Sequence, residues 1–171
     1  MALSQRKPQR LQDYDYSEQG AYFITLCTHN RQHLFGKLLD GTMRINKYGL
    51  IAQSHLLNIP QHFDSVVVDK FIVMPNHLHC IFILWGTAER SRPFPTLSTV
   101  VGLYKSGVTN RIHGFSPDLC VWQKSFHDHV IRDEQDYLRI WQYIDTNPLN
   151  WEKDRYFTPE SSPVIIKNAA P

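Results

Sequence analysis

The chain has few cysteines, no long apolar run and little net charge. Its three cysteines among 171 residues, Cys27, Cys80 and Cys120, are odd in number and widely spaced, and no C-x-x-C is present. This argues against a disulfide framework or a thiolate zinc site, and all three read as small core residues in apolar surroundings. No apolar stretch reaches the ~18 residues that span a bilayer. The longest, Cys80 to Trp85, has the length of a strand. Residues Met1 to Arg10 lack the apolar segment of a secretory signal, so the expected location is the cytoplasm, with no membrane partner. A net charge of +2 permits a nucleic-acid partner but lacks the strong basic signature of a dedicated DNA-binding domain.

What is present suits one ordinary domain with its own core: 42% hydrophobic and 20% charged residues, with nine histidines as the unusual feature. Residues 1–19 carry Arg6, Lys7 and Arg10 and read as a flexible basic arm. Residues 20–151 read as a single folded domain. Residues 152–171 lack periodicity and read as a tail.

Ala21 to Thr28 is aromatic and β-branched, which predicts a strand. His29 to Gly41 reads as a loop. Apolar spacing predicts a helix over about 45–59, ended by Pro60. Val66 to Met74 and His77 to Trp85 read as a strand pair around the turn residues Pro75 and Asn76. After a loop at 86–96, Leu97 to Ile112 predicts a second helix, Val121 to Ile131 contains a last strand, and Asp133 to Asn147 forms a third helix closed by Pro148. The order β–α–β–β–α–β–α predicts an α+β ferredoxin-like sandwich, an antiparallel sheet with helices on one face.

His77 and His79 lie two apart on a predicted strand, so both imidazoles point to one face and can ligate one metal ion. Tyr143 and Asn147 lie four apart on the last helix and share a face beside the stripe of Tyr137, Ile140, Trp141 and Ile144. A phenol there can act as a nucleophile, and an amide oxygen can ligate a metal. On the residues alone, Tyr143 can equally be a boundary packing residue and Asn147 a helix cap. His127 and His129 form a rival H-x-H pair. Asp133, Glu134 and Asp136 suit the positive end of the last helix.

Four segments in order, YDYSEQGAYFITLCTHNRQHLFG, FIVMPNHLHCIFIL, LSTVVGLYKSGVT and VWQKSFHDHVIRDEQDYLRIWQYIDTNP, cover most of residues 10–151. Together they resemble the REP-associated tyrosine transposases, a branch of the single-tyrosine HUH family. The resemblance implies a ferredoxin-like fold and metal-dependent nicking and transfer of single-stranded or hairpin DNA through a 5′-phosphotyrosine, next to hairpin-forming repeats. It implies Tyr143 as nucleophile, with His77, His79 and Asn147 as ligands of Mg²⁺ or Mn²⁺. Related insertion-sequence transposases place glutamine where this chain has Asn147. The family includes swapped-helix dimers and monomers, so a homodimer stays open. Phosphate contacts are expected from Lys105, Arg111, Arg90, Arg92, Lys7 and Arg10. Two other readings remain at this point: a domesticated DNA-binding regulator without strand transfer, and a metal-dependent hydrolase of small substrates.

Overall fold

Alternation along one strand explains most of the architecture. In β1 (Gly20–Cys27), Tyr22, Ile24 and Leu26 are fully buried on one face, and Phe23 and Thr25 take the other. The computed structural model describes residues 19–86 and 95–159. After β1 come β2 (Gly36–Leu39), β3 (Thr42–Ile45), α1 (Lys47–Leu57), α2 (Ile59–His62), β4 (Val66–Val73) and β5 (His77–Leu84). Then follow α3 (Leu97–His113), β6 (His127–Ile131), α4 (Glu134–Thr146) and a 3₁₀ segment at Asn147–Lys153. Among these helices none is long and apolar enough to cross a membrane.

The main sheet has the order β4–β5–β1–β6, antiparallel throughout. That is the ferredoxin-like arrangement expected, with a β-hairpin and a short helix added. β5 is central and almost wholly buried, as its near-continuous apolar run suggests. Its two faces need separate covers. Leu78, Cys80 and Phe82 join Tyr22, Ile24 and Leu26 in a core with α1 and α3. Ile81 packs instead with Ile140 and Ile144 of α4, flanked by Phe23, Tyr137 and Tyr143. The expectation of helices on one face is therefore corrected: α4 covers the opposite face, because β5 is apolar on both.

β4 breaks register between Val68 and Phe71. The residues in the break bolt α4 down: Tyr137 Oη donates to Asp69 at 2.5 Å, and Lys70 pairs with Asp145 at 2.6 Å. Lys70 also lies 3.6 Å from the Trp141 ring centroid, and Trp141 is 39% exposed rather than packed. Asp133 caps α4 by accepting from the Asp136 amide at 2.8 Å, and Glu134 and Asp136 occupy the first turn.

Other details differ from expectation. The segment read as a loop contains the β2–β3 hairpin. Its turn is Asp40–Gly41, with φ of 50° and 69°, the two positive values that a tight Asp-Gly turn requires. Pro60 does not end the first helix. α1 stops at Leu57, and Pro60 sits in the first turn of α2, where a missing amide costs nothing. Cys27 and Cys80 are buried as read, but Cys120 is exposed.

Two helical glycines give opposite expectations. A Cβ on Gly102 meets nothing within 4 Å, whereas one on Gly49 would collide with the Phe35 carbonyl oxygen. That carbonyl is held close because it accepts from the Asn46 amide at 2.9 Å, at the start of α1. Gly102→Ala should stabilise by about 0.5–1 kcal/mol. Gly49→Ala should destabilise by about 1–3 kcal/mol despite its helical position. Denaturant unfolding checks both, and two changes of the same sign would refute this account of Gly49.

Candidate active site

β1 and β5 place the imidazoles. Thr25 pairs with His79 and Cys27 with His77, and both histidines face the α4 side, fully buried. Their outer nitrogens are tied down. Asn76 donates its amide N–H groups to the Tyr156 carbonyl at 2.9 Å and the Thr158 hydroxyl at 3.1 Å. Its Oδ1 must then accept, so His77 Nδ1 is the donor in the 2.8 Å contact between them. The lone pair of His77 is thereby fixed on Nε2, facing the site. His79 Nδ1 lies 2.8 Å from Thr25 Oγ1, which turns its Nε2 inward too. The two Nε2 atoms are 3.0 Å apart. Burial lowers the His77 pKa to about 4. Burial, then the neighbouring His77, drives His79 well below its ordinary value. Both are neutral near pH 7, the form that binds metals.

The end of α4 supplies the facing wall. Tyr143 Oη lies 3.2 Å from His79 Nε2 and donates to Asp154 Oδ2 at 2.7 Å. Asn147 Nδ2 donates to the same oxygen at 2.6 Å. The other Asp154 oxygen accepts from the Tyr156 amide at 2.6 Å. Burial first, then the bond to Asp154, pushes the Tyr143 pKa above its usual value, so the phenol is protonated at neutrality. The structure thus brings His77, His79, Tyr143 and Asn147 together.

Asp154 is the residue the sequence reading missed; it fell in the tail. It lies beyond Pro148 and the 3₁₀ segment, where no helical period connects it to Tyr143, and no motif marks it. His77, His79 and Asp154 offer ligand atoms within 4.8 Å of one another. The donor set fits a divalent ion. A 3.0 Å separation of Nε2 atoms suits neighbouring ligands with bonds of about 2.1 Å. Asn147 Oδ1 is buried with no hydrogen-bond partner among the described residues. A buried acceptor left this way costs ~1–3 kcal/mol unless something else binds it. Among the described residues the rival pair gathers no such set. His129 is engaged by Asp136 at 2.6 Å, and the His127 ring centroid lies 5.9 Å from that of Tyr156.

A cavity of about 380 Å³ opens onto Tyr143, bordered by Phe23, His129, Arg139, Lys153 and Arg155. Its cations suit an anionic substrate. Of the expected phosphate contacts, Lys105 and Arg111 lie on α3, the layer across the sheet from Tyr143. Lys105 Nζ is turned to the carbonyls of Gln123 at 2.5 Å and Ser125 at 3.3 Å. Arg111 is exposed near the end of the helix. Lys7, Arg10, Arg90 and Arg92 lie outside the described residues.

No family model matches the chain. The chain is similar to an uncharacterised protein of Haemophilus influenzae, 35% identical over 170 residues, covering 91% of this chain and 94% of that one. It is also similar to the REP-associated tyrosine transposase of Escherichia coli K12, 24% identical over 143 residues, covering 81% and 73%. A solved REP-associated tyrosine transposase bound to a REP hairpin shares the fold, with a TM-score of 0.60 at 20% identity, covering 83% of this chain and 74% of that one.

If Asn147 Oδ1 is a ligand position, Asn147→Ala should weaken Mn²⁺ binding by roughly 10-fold or more, in the range of losses seen around metal sites. Calorimetric titration of the folded variant measures this. An unchanged affinity would remove Asn147 from the ligand set.

Proposed function

The chain belongs to the family of REP-associated tyrosine transposases, and from that premise we propose that it cuts and rejoins single-stranded DNA with Tyr143 as nucleophile. The observation that carries this reading is the phenol oxygen 3.2 Å from His79 Nε2, within the same chain. A packing tyrosine has no need of that position. The catalytic unit is residues 20–151 together with Asp154, and its site is complete in one protomer.

His77, His79 and Asn147 would hold the ion, Mg²⁺ or Mn²⁺, and Asp154 lies close enough to His77 and His79 to contribute. When bound, such an ion supplies Lewis-acid stabilisation of charge on the phosphate oxygens. The remaining work falls to the side chains. Arg139, Lys153 and Arg155 border the cavity and draw in the DNA phosphate. Tyr143 Oη attacks phosphorus in line, and the bond to the 3′ oxygen breaks. The phenol proton passes along the existing 2.7 Å hydrogen bond to Asp154 Oδ2. The departing 3′ oxygen takes a proton from solvent and leaves as a hydroxyl. The product is a 5′-phosphotyrosine, whose phosphoester energy is kept, so a second 3′ hydroxyl can reverse the step and join a new strand. Hairpin-forming repeats are the proposed target.

The test is a covalent adduct. The protein, Mn²⁺ and hairpin-bearing single-stranded DNA should yield a species that survives a denaturing gel. Tyr143→Phe should lose the adduct and keep DNA binding. An adduct that persists in Tyr143→Phe removes this residue from its role. DNA binding without any adduct in the unaltered protein moves the reading to a regulator that lacks strand transfer.

A further inference from the structure

The β2–β3 hairpin lies outside the four-stranded sheet and carries an unfavourable pairing. Lys37 stands directly opposite Arg44, both exposed. Like charges facing across a ladder are destabilising. Among the described residues, neither cation has a carboxylate within 4.0 Å. Such a pair fits an anion from outside the chain.

Lys37 also borders a second cavity, of about 480 Å³, between the hairpin and the segment after α4. That volume is in the usual range of ligand pockets, ~300–1,000 Å³. Lys153 borders both this cavity and the one that holds Tyr143, so the two adjoin. The cleft offers apolar and aromatic surface from Leu149 and Phe157, with Leu149 75% exposed. Inside it the carboxylates of Asp40 and Glu152 offset Lys37 and Lys153. A balanced interior suits a neutral base, whose amino groups a carboxylate can accept. At the hairpin Arg44 adds a cation opposite Lys37 that these carboxylates do not offset, and this surplus suits phosphates.

We propose that this cleft binds an unpaired nucleotide of the DNA strand leading away from Tyr143, with its backbone phosphates on Lys37 and Arg44. The assignment rests on the strand-transfer reading for its substrate, but none of the cleft's hairpin residues takes part in the chemistry. The hairpin is thus a strand guide appended to the sheet.

The experiment compares two DNA probes by fluorescence anisotropy over a range of NaCl: a hairpin with unpaired flanks and the same hairpin with blunt ends. For the double variant Lys37→Ala/Arg44→Ala, the affinity for flanked DNA should fall. The slope of log affinity against log salt should become shallower by about 1.4, from ~0.7 per lost single-strand phosphate contact. Blunt DNA should be unaffected. Thermal stability should hold or rise, since a repulsive pair is removed. An unaltered slope with flanked DNA overturns the proposal, and so does an equal loss with blunt DNA, which would place the cations on the stem. Absence of any adduct from the unaltered protein would instead refute strand transfer, while the anisotropy comparison still decides the cleft.

Discussion

Everything at the site depends on one strand being buried on both faces. Because β5 lies between β4 and β1, its alternate residues enter two separate layers. Leu78, Cys80 and Phe82 join the larger core, and His77, His79 and Ile81 look the other way. The same burial that stabilises the strand strips water from the imidazoles and keeps them neutral. A buried polar group is tolerable only with partners. Asn76 and Thr25 satisfy the outer nitrogens and leave the inner ones convergent. The convergence of the two inner nitrogens is therefore a by-product of satisfying hydrogen bonds in a core.

The imidazole pair was legible in the sequence because strand alternation acts locally. The sharing of a face by Tyr143 and Asn147 was legible for the same reason, from helical period. The layer that α4 covers was not. β5 is apolar on both sides, and its sequence does not say which helix lies on which face. The β2–β3 hairpin was legible in principle. Asp40–Gly41 is a turn signal, but the strands beside it are only four residues each and half exposed. Asp154 was beyond reach, since its meeting with Tyr143 and Asn147 is made by tertiary geometry after an irregular 3₁₀ segment. Lys105 shows the converse. Its charge was plain, but the carbonyls of Gln123 and Ser125 that hold it become neighbours only in the fold.

Asp154 joins the two functions of the site. One oxygen accepts from both Tyr143 and Asn147, so the proposed nucleophile and the proposed ligand share an anchor. Because Asn147 donates its Nδ2 there, its Oδ1 is the atom left buried without a hydrogen-bond partner among the described residues. Nδ2 and Oδ1 cannot exchange places, since an ionised carboxylate only accepts. The same contact raises the Tyr143 pKa, which keeps the phenol protonated while it is held in place. In the proposed attack the proton leaves along that same bond. Positive charge near the phenol would favour that attack by stabilising the phenolate. Arg155 supplies part of it, lowering the Tyr143 pKa against burial and Asp154. A divalent ion held by His77 and His79 would supply more. A cation beside the phenol would stabilise the phenolate and offer the buried Asn147 oxygen a partner, so binding one there would also favour the fold.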